Sequence, residues 1–240
     1  MRNRIHACLV LLMAASLAPA RAQAGGWYLE AGAGRLSGDF GTADTGRVDL
    51  AYGTVGYAWS RAYLDVTVPA LRLETRSSGG SRRASGLGDV LVRGLRRVVA
   101  EPGGFSFDAG LAVKFPTADP DADLGTGQGD AEAFLALNQR WGRFQVTVQG
   151  GWIQSQPRPG QRNGQYTAGC GMAWYASRTK VSLGYAARAA PYPGTPSPRE
   201  LALDVYRALG TRFALRASWA AGLSDGSPHS NLGVGLLYFP

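Results

Sequence analysis

The chain has 240 residues, with 25 Lys or Arg against 17 Asp or Glu, for a formal net charge of +8. Basic charge can mark a nucleic-acid binder, but here the arginines are scattered and an export leader opens the chain, so nucleic acid is not expected as a partner. With only two Cys and two His, disulfide frameworks and His/Cys metal sites are also excluded.

The leader is "MRNRIHACLVLLMAASLAPARAQA". Arg2 and Arg4 precede an apolar run, and Ala22-Gln23-Ala24 supplies small residues two apart. Residues 1–24 therefore read as a secretory signal peptide cleaved after Ala24, leaving 25–240 as the mature chain. The apolar run is shorter than the roughly 20 residues of a membrane anchor. Losing Arg2, Arg4 and Arg21 lowers the net charge from +8 to +5. Cys170 is then the one cysteine, which rules out an internal disulfide, and His229 the one histidine. No later segment reaches the roughly 18 apolar residues of a transmembrane helix.

From residue 25 onward the apolar residues alternate with period two, the signature of strands. In "GWYLEAGAG" Trp27, Leu29, Ala31 and Ala33 oppose Tyr28 and Glu30. "RVDLAYGTVGYAW" sets Val48, Leu50 and Tyr52 against Arg47 and Asp49, and "RAYLDVTV" sets Leu64, Val66 and Val68 against Asp65 and Thr67. "GFSFDAGLAVKF" opposes Phe107, Leu111 and Val113 to Asp108 and Lys114. The same alternation recurs in "RFQVTVQGGW", "TKVSLGYAAR", "TRFALRASWAAGL" and "NLGVGLLYF", with four further runs near 86–100, 130–140, 165–176 and 199–209. About twelve strands result, each of about 9–14 residues. Soluble strands average about five or six residues, whereas a tilted membrane-spanning strand needs about 9–11.

The connections alternate in length. Short ones lie at 59–63, 100–104, 141–144, 175–179 and 209–213, and long ones near 37–46, 74–86, 116–129, 155–165, 190–199 and 224–230. Short periplasmic turns and long outside loops are the pattern of outer-membrane barrels. Trp59, Tyr63, Trp141, Phe144, Tyr175 and Phe213 stand beside the short turns, as an interfacial girdle would. The expected fold is all-β: a single antiparallel up-and-down transmembrane β-barrel of about 12 strands in the cell outer membrane. A closed barrel uses the whole mature chain, because lipid tolerates no open sheet edge. The lipid bilayer, a small-molecule solute and the outer-membrane assembly machinery are its expected partners.

Three places fit less simply. "VTVPALRLET" switches parity around Pro69, which suggests a bulge or break there. Arg207 falls on the apolar parity near a short turn, where an arginine reaches the interface at small cost. "DVLVRGLRRVV" leaves Arg93, Arg96 and Arg97 without a face.

Two stretches carry a family likeness. "GLGDV" (86–90), followed by "GLAVKFPTADPDADLGTGQGD" (110–130), resembles the outer-membrane family named for the MetA pathway of phenol degradation. Phe115 stands where that family commonly has Leu, and Ala118 where it has Gly. The motif region covers under a quarter of the chain. The resemblance implies a transporter-like barrel for small compounds, aromatic ones among them.

The 115–134 stretch also invites chemical readings. Asp119, Asp121 and Asp123 have the spacing of a calcium loop, but Leu124 occupies the position that a calcium loop reserves for Gly, and Pro120 separates the first two carboxylates. "GTGQG" lacks the Gly-Lys-Thr/Ser of a phosphate loop. A hydrated outer loop is the simpler reading, with no metal and no cofactor. His229 lies in the last outside loop, where it reads as a solvated side chain rather than a catalytic base, so no enzyme is expected. Asp108 and Glu132, on neighbouring strands, read as rungs of a lumen salt-bridge ladder.

By parity the lumen receives Arg47, Lys114, Arg140, Arg143, Lys180, Arg188, Arg212 and Arg216, opposed by Glu30, Asp49, Asp65, Asp108, Asp130, Glu132, Glu200 and Asp204. The expected function is an outer-membrane channel or carrier for small polar or aromatic solutes, contacted by Lys114, Arg188, Arg212, Arg216, Asp108 and Glu132. A structural barrel with a plugged lumen is the alternative.

Overall fold

The computed structural model describes residues 25–39, 45–157 and 159–240; the signal peptide read at 1–24 lies outside the described residues. The chain forms β1 (Gly26–Gly38), β2 (Thr45–Ala58), β3 (Ala62–Ser77), β4 (Gly80–Leu87), β5 (Val90–Ala100), β6 (Phe105–Phe115) and β7 (Asp130–Trp141). It continues with β8 (Phe144–Ser155), β9 (Gly164–Tyr175), β10 (Thr179–Arg188), β11 (Arg199–Ala208), β12 (Phe213–Gly222) and β13 (Ser230–Tyr238).

Each strand pairs antiparallel with its neighbour in sequence, and β1 pairs with β13 to close the sheet. The segments β4 and β5 lie end to end along β3: Ala70–Ser77 pair with Gly80–Leu87, and Ala62–Thr67 pair with Leu91–Arg96. They make one barrel strand interrupted at Gly88-Asp89, so the barrel is twelve-stranded. Closure through β1 and β13 leaves no open edge at the level of β5, as a bilayer requires, whereas β4, beyond it, pairs with β3 alone.

Large apolar side chains point outward. Leu111, Val148, Leu183, Leu215 and Val234 are exposed on the outer wall, where hydrocarbon replaces water as their solvent. Asp65, Asp108, Asn138, Glu200 and Asp204 are buried inside. This polarity is the reverse of a soluble barrel's and is what a membrane barrel needs. At the short-turn end Trp27, Tyr57 and Trp59 pack edge to face, with ring centroids 5.2 and 4.7 Å apart, and Phe213 stacks on Tyr238 at 5.1 Å. Trp141 and Phe144 extend this girdle. Tyr63 and Tyr175 do not join it: Tyr63 shares the inward parity of Asp65, and the Tyr175 hydroxyl donates to Gln145 in the lumen.

Several sequence expectations are corrected. β3 runs through Pro69 in unbroken register with β2 (Tyr52 opposite Pro69). The interruption falls on the adjacent strand instead. The Pro69 carbonyl accepts from Gly88 N at 2.8 Å, so Pro69 turns its missing N–H toward that strand, and the ladder gives way there. The stretch 74–86 is not a loop, because β3 and β4 continue as a hairpin that turns at Ser78-Gly79.

The apparent parity switch is an inversion of polarity along a strand whose facing never changes. Outward on β3, Leu64, Val66, Val68 and Ala70 give way to Arg72 and Arg76; inward, Asp65 and Thr67 give way to Leu71 and Leu73. β2 does the same. Arg47 and Asp49 face outward and Val48 is buried inside, so Arg47 and Asp49 do not line the lumen. Beyond the bilayer, water lies outside the wall, and the ordinary soluble pattern returns.

Candidate functional site

The lumen is organised in tiers. At the waist, acids and arginines from neighbouring strands are matched. Arg93 (β5) donates to both Asp65 carboxylate oxygens at 3.0 and 3.1 Å, and the Tyr28 hydroxyl donates to Asp65 at 2.9 Å. Arg216 (β12) lies 2.9 Å from Asp204 and 3.8 Å from Glu30, and Glu30 accepts from the Tyr52 hydroxyl at 2.7 Å. Arg97 pairs with Asp108 at 3.0 Å, and Asp108 also accepts from Asn138. Thr147 and Gln145 donate in turn to Asn138. Asp65, Glu30 and Asp108 thus each have a guanidinium and a second donor, the arrangement that makes a desolvated ion pair tolerable. Glycines position two of the tyrosines: a Cβ on Gly32 would overlap the Tyr52 ring, and one on Gly56 the Tyr28 ring. The Tyr28 ring lies over Gly56 of β2 and its hydroxyl reaches Asp65 on β3, while the Tyr52 ring lies over Gly32 of β1 and its hydroxyl reaches Glu30 on that strand.

A cavity of about 200 Å³ lies toward the outside loops. Lys114, Glu132, Arg188 and Glu200 form its polar wall, with Ile153 between Glu132 and Gln165, and Leu71, Leu91 and Leu124 form its apolar side. A second cavity of about 140 Å³ holds the Arg93, Arg216, Glu30 and Asp204 groups. Both touch Pro69, Asp89 and Leu91, so they are adjoining parts of one lumen. Glu132 accepts from Thr167 at 2.9 Å, and Lys114 bridges Asp130 at 2.6 Å and Asp89 at 3.5 Å. Among the described residues, three buried atoms in the first cavity's wall have no hydrogen-bond partner: Arg188 Nε, Glu200 Oε1 and Gln165 Oε1.

The roof is the 116–129 segment. Ala118 and Leu124 are buried against Leu36, Val48, Leu71 and Leu73, the apolar lining of the overhanging β1–β3 ends. The interruption at Gly88-Asp89 is where this segment docks. Asp89 accepts from Ala118 N at 3.1 Å, and the Thr117 hydroxyl accepts from Val90 N and donates to the Gly88 carbonyl. The two stretches that carried the family resemblance thus form one contact. Arg82, on the inward face of β4, holds Asp123 and the Asp121 carbonyl from above. The Asp119 carboxylate caps a local turn by accepting from Asp121 N and Ala122 N. The three aspartates therefore serve different partners, and no three His, Cys, Asp or Glu side chains among the described residues converge on an ion position.

Of the sequence-derived contacts, Lys114, Glu132 and Arg188 meet in the first cavity, Arg216 lines the second, and Asp108 sits in the waist. Arg212 and Arg143 lie exposed in short turns at the rim rather than on the wall. Arg93, Arg97 and Asp89 face the lumen without having been assigned there. Pairing with Asp65 and Asp108 would have identified the two arginines, had the interruption before β5 been known to reset the phase. His229 is exposed and lies 3.3 Å from Asp39. Ser227, fully buried, ties the last outside loop to the Arg199 backbone.

Outside the wall, above the apolar band, Arg35 and Arg47 grip Asp49 at 2.6 and 2.9 Å, and Arg76 binds Glu74 at 3.0 Å. The hydrogen bond from Arg35 holds the Asp49 carboxyl below the usual carboxylate range, and that from Arg76 does the same for Glu74.

No protein-family model and no curated protein matches the chain, so no match supports the phenol-degradation family specifically. Solved structures do match. The KdgM porin is 9% identical with a TM-score of 0.59, covering 88% of this chain and 98% of that one. The NanC porin is also 9% identical at a TM-score of 0.59, covering 88% and 99%. The beta domain of the Bordetella autotransporter BrkA is 16% identical at a TM-score of 0.56, covering 89% and 98%. At these identities the likeness shows the fold: a twelve-stranded barrel of the outer membrane.

Proposed function

We propose that the barrel is a passive, non-enzymatic channel or carrier for small polar or aromatic solutes. The observation that carries this reading is the first cavity, where Lys114, Glu132, Arg188 and Glu200 gather and where buried Arg188 Nε, Glu200 Oε1 and Gln165 Oε1 have no hydrogen-bond partner among the described residues. Buried polar atoms in native proteins are almost always paired, so this wall suits water or a polar solute better than a sealed core. The apolar side formed by Leu71, Leu91 and Leu124 suits a ring or an aliphatic face. Lys114, Arg188 and Glu132 are the proposed contacts there, with Arg216 and Asp108 setting the charge of the waist below and Arg212 that of the rim. A transporter-like role is also what the resemblance of the docking motifs to the phenol-degradation family would imply. The KdgM porin, of the same fold, has been solved in complex with disordered oligogalacturonate.

Leu124, seated in the mouth, favours a second reading in which the segment plugs the lumen and nothing passes. Planar-bilayer conductance and liposome uptake with a panel of aromatic acids and sugars separate the two. The channel reading expects wild-type conductance, with ion preference altered in Arg188→Ala and Glu200→Gln. A silent wild type, together with conductance only after deletion of 118–127, would establish the plug instead.

A further inference from the structure

The outer wall treats its upper rim in two ways. Around β6 to β12 the outward residues near the outside loops include aromatics: Phe115, Trp152, Tyr166, Tyr185 and Trp219. On β1 to β4 the same level carries arginine. Cross-strand register sets Arg35, Asp49, Arg72 and Ser85 in one row, and Arg47, Glu74 and Arg83 in the next, with Arg76 beyond. Among the described residues, five arginines against two carboxylates leave a formal surplus of three positive charges on one outward face.

The height of this face fits the outer leaflet's headgroups. Arg35 follows Trp27, which lies in the short-turn girdle, by eight residues on β1. Eight residues span about 26 Å along a strand, and a tilt of about 40° reduces that to roughly 20 Å along the membrane normal. The apolar band of such barrels is about 25 Å tall. The first arginine row therefore leaves the strand roughly 5 Å short of the band's upper edge, a gap that an extended arginine side chain spans by snorkelling, and the second row, two residues further on, leaves it at about that edge. The Asp49 carboxylate turns toward Arg35 and Arg47, and the guanidinium of Arg72 remains exposed beside them. Two strand spacings of about 4.8 Å separate Arg35 from Arg72, so the pair can hold two phosphate oxygens or two phosphates about 10 Å apart. Planar guanidinium groups suit bidentate phosphate contacts.

We propose that the outward face of the β1–β4 overhang binds the phosphorylated headgroup of an outer-leaflet glycolipid, with Arg35 and Arg72 as the lower contacts and Arg47, Arg76 and Arg83 as the upper ones. This site lies outside the wall and is independent of whether the lumen conducts.

Native mass spectrometry and thermal shift of the detergent-solubilised barrel test it, with bisphosphorylated lipid A as probe and dephosphorylated lipid A and inorganic phosphate as comparators. Bisphosphorylated lipid A is expected to bind, and affinity is expected to fall about fivefold for each arginine removed in Arg35→Ser and Arg72→Ser, following the usual gain per basic residue at an anionic surface. Raised salt weakens it. Arg207→Ser, exposed at the opposite end, should leave binding unchanged, and heat-modifiable gel mobility checks that each variant is folded. Equal binding of dephosphorylated lipid A would overturn the proposal, as would folded Arg35→Ser/Arg72→Ser protein that binds like wild type. Full displacement by millimolar inorganic phosphate would show a small-anion site instead and would equally overturn it.

Discussion

The membrane-embedded wall and the overhang of β1 to β4 share strands and facing but not polarity. In the embedded wall Leu183 and Val234 are outside and Asp108 and Asp204 inside. In the overhang Arg72 and Arg76 are outside, and Val48, Leu71 and Leu73 inside. The pleat fixes which way a side chain points; the surroundings fix which side chain is stable there. A single strand such as β3 therefore records where the bilayer stops, between Ala70 and Arg72.

The largest expected effect on the folding of the whole barrel comes from carrying one region's chemistry into the other. Leu183→Arg puts a guanidinium on the lipid face and should cost about 2–4 kcal/mol. Ser37→Arg has the same outward parity but lies on the overhang, and should fold like wild type. Folding into bilayers, read by denaturant titration and heat-modifiable mobility, compares the two. Equal cost for both would mean that the overhang is also immersed in lipid.

On the inward side the contrast is between an apolar core and a polar lumen. Leu73→Ala opens a hole in the cluster that receives Leu124, and large-to-small changes in cores cost about 2–5 kcal/mol. The loss should be local: faster protease cleavage within 116–129, with the barrel's gel shift retained. Global unfolding would show that the overhang core supports the whole barrel rather than its roof.

The alternation of Leu and Val with Asp and Thr made the barrel legible, as did the alternation of short and long connections. The lumen was partly legible, because Lys114, Glu132 and Arg188 needed only parity. Where the outer face becomes charged, parity read as "apolar means lipid" fails, which is why Arg47 and Asp49 were assigned inward. The roof was not legible at all. Leu124 looks like an isolated apolar residue in an acidic loop, and its partners Leu36, Val48, Leu71 and Leu73 lie on three strands that only the closed barrel brings together. Asp89 and Thr117 stood in motifs that could be quoted, but their contact spans 27 to 29 residues of chain and depends on the interruption opposite Pro69.

That contact gives the third expectation. Asp89→Ala removes the acceptor of Ala118 N and a partner of Lys114. Leaving a partly buried donor unpaired costs about 1–3 kcal/mol. Hydrogen exchange should quicken at Ala118, with little change along β8 to β10. Unchanged exchange at Ala118 would mean that the Leu124 cluster alone holds the roof.

The smallest effect belongs to the outermost tie. Arg82 reaches from β4 to the Asp123 carboxylate and the Asp121 carbonyl, but its side chain is 62% exposed. Water and salt screen such a pair, and exposed ion pairs are worth about 0.2–1 kcal/mol. Arg82→Ala should therefore loosen the 116–129 segment several times less than Asp89→Ala does, and raised salt should reproduce most of its effect on the wild type. The double variant with Leu73→Ala separates two pictures of the roof. If the segment is held mainly by its apolar underside, Arg82→Ala adds its small increment independently, and protease cleavage rates multiply. If Arg82 first orients the turn so that Leu124 can enter the cluster, the second substitution adds nothing once Leu73 is gone.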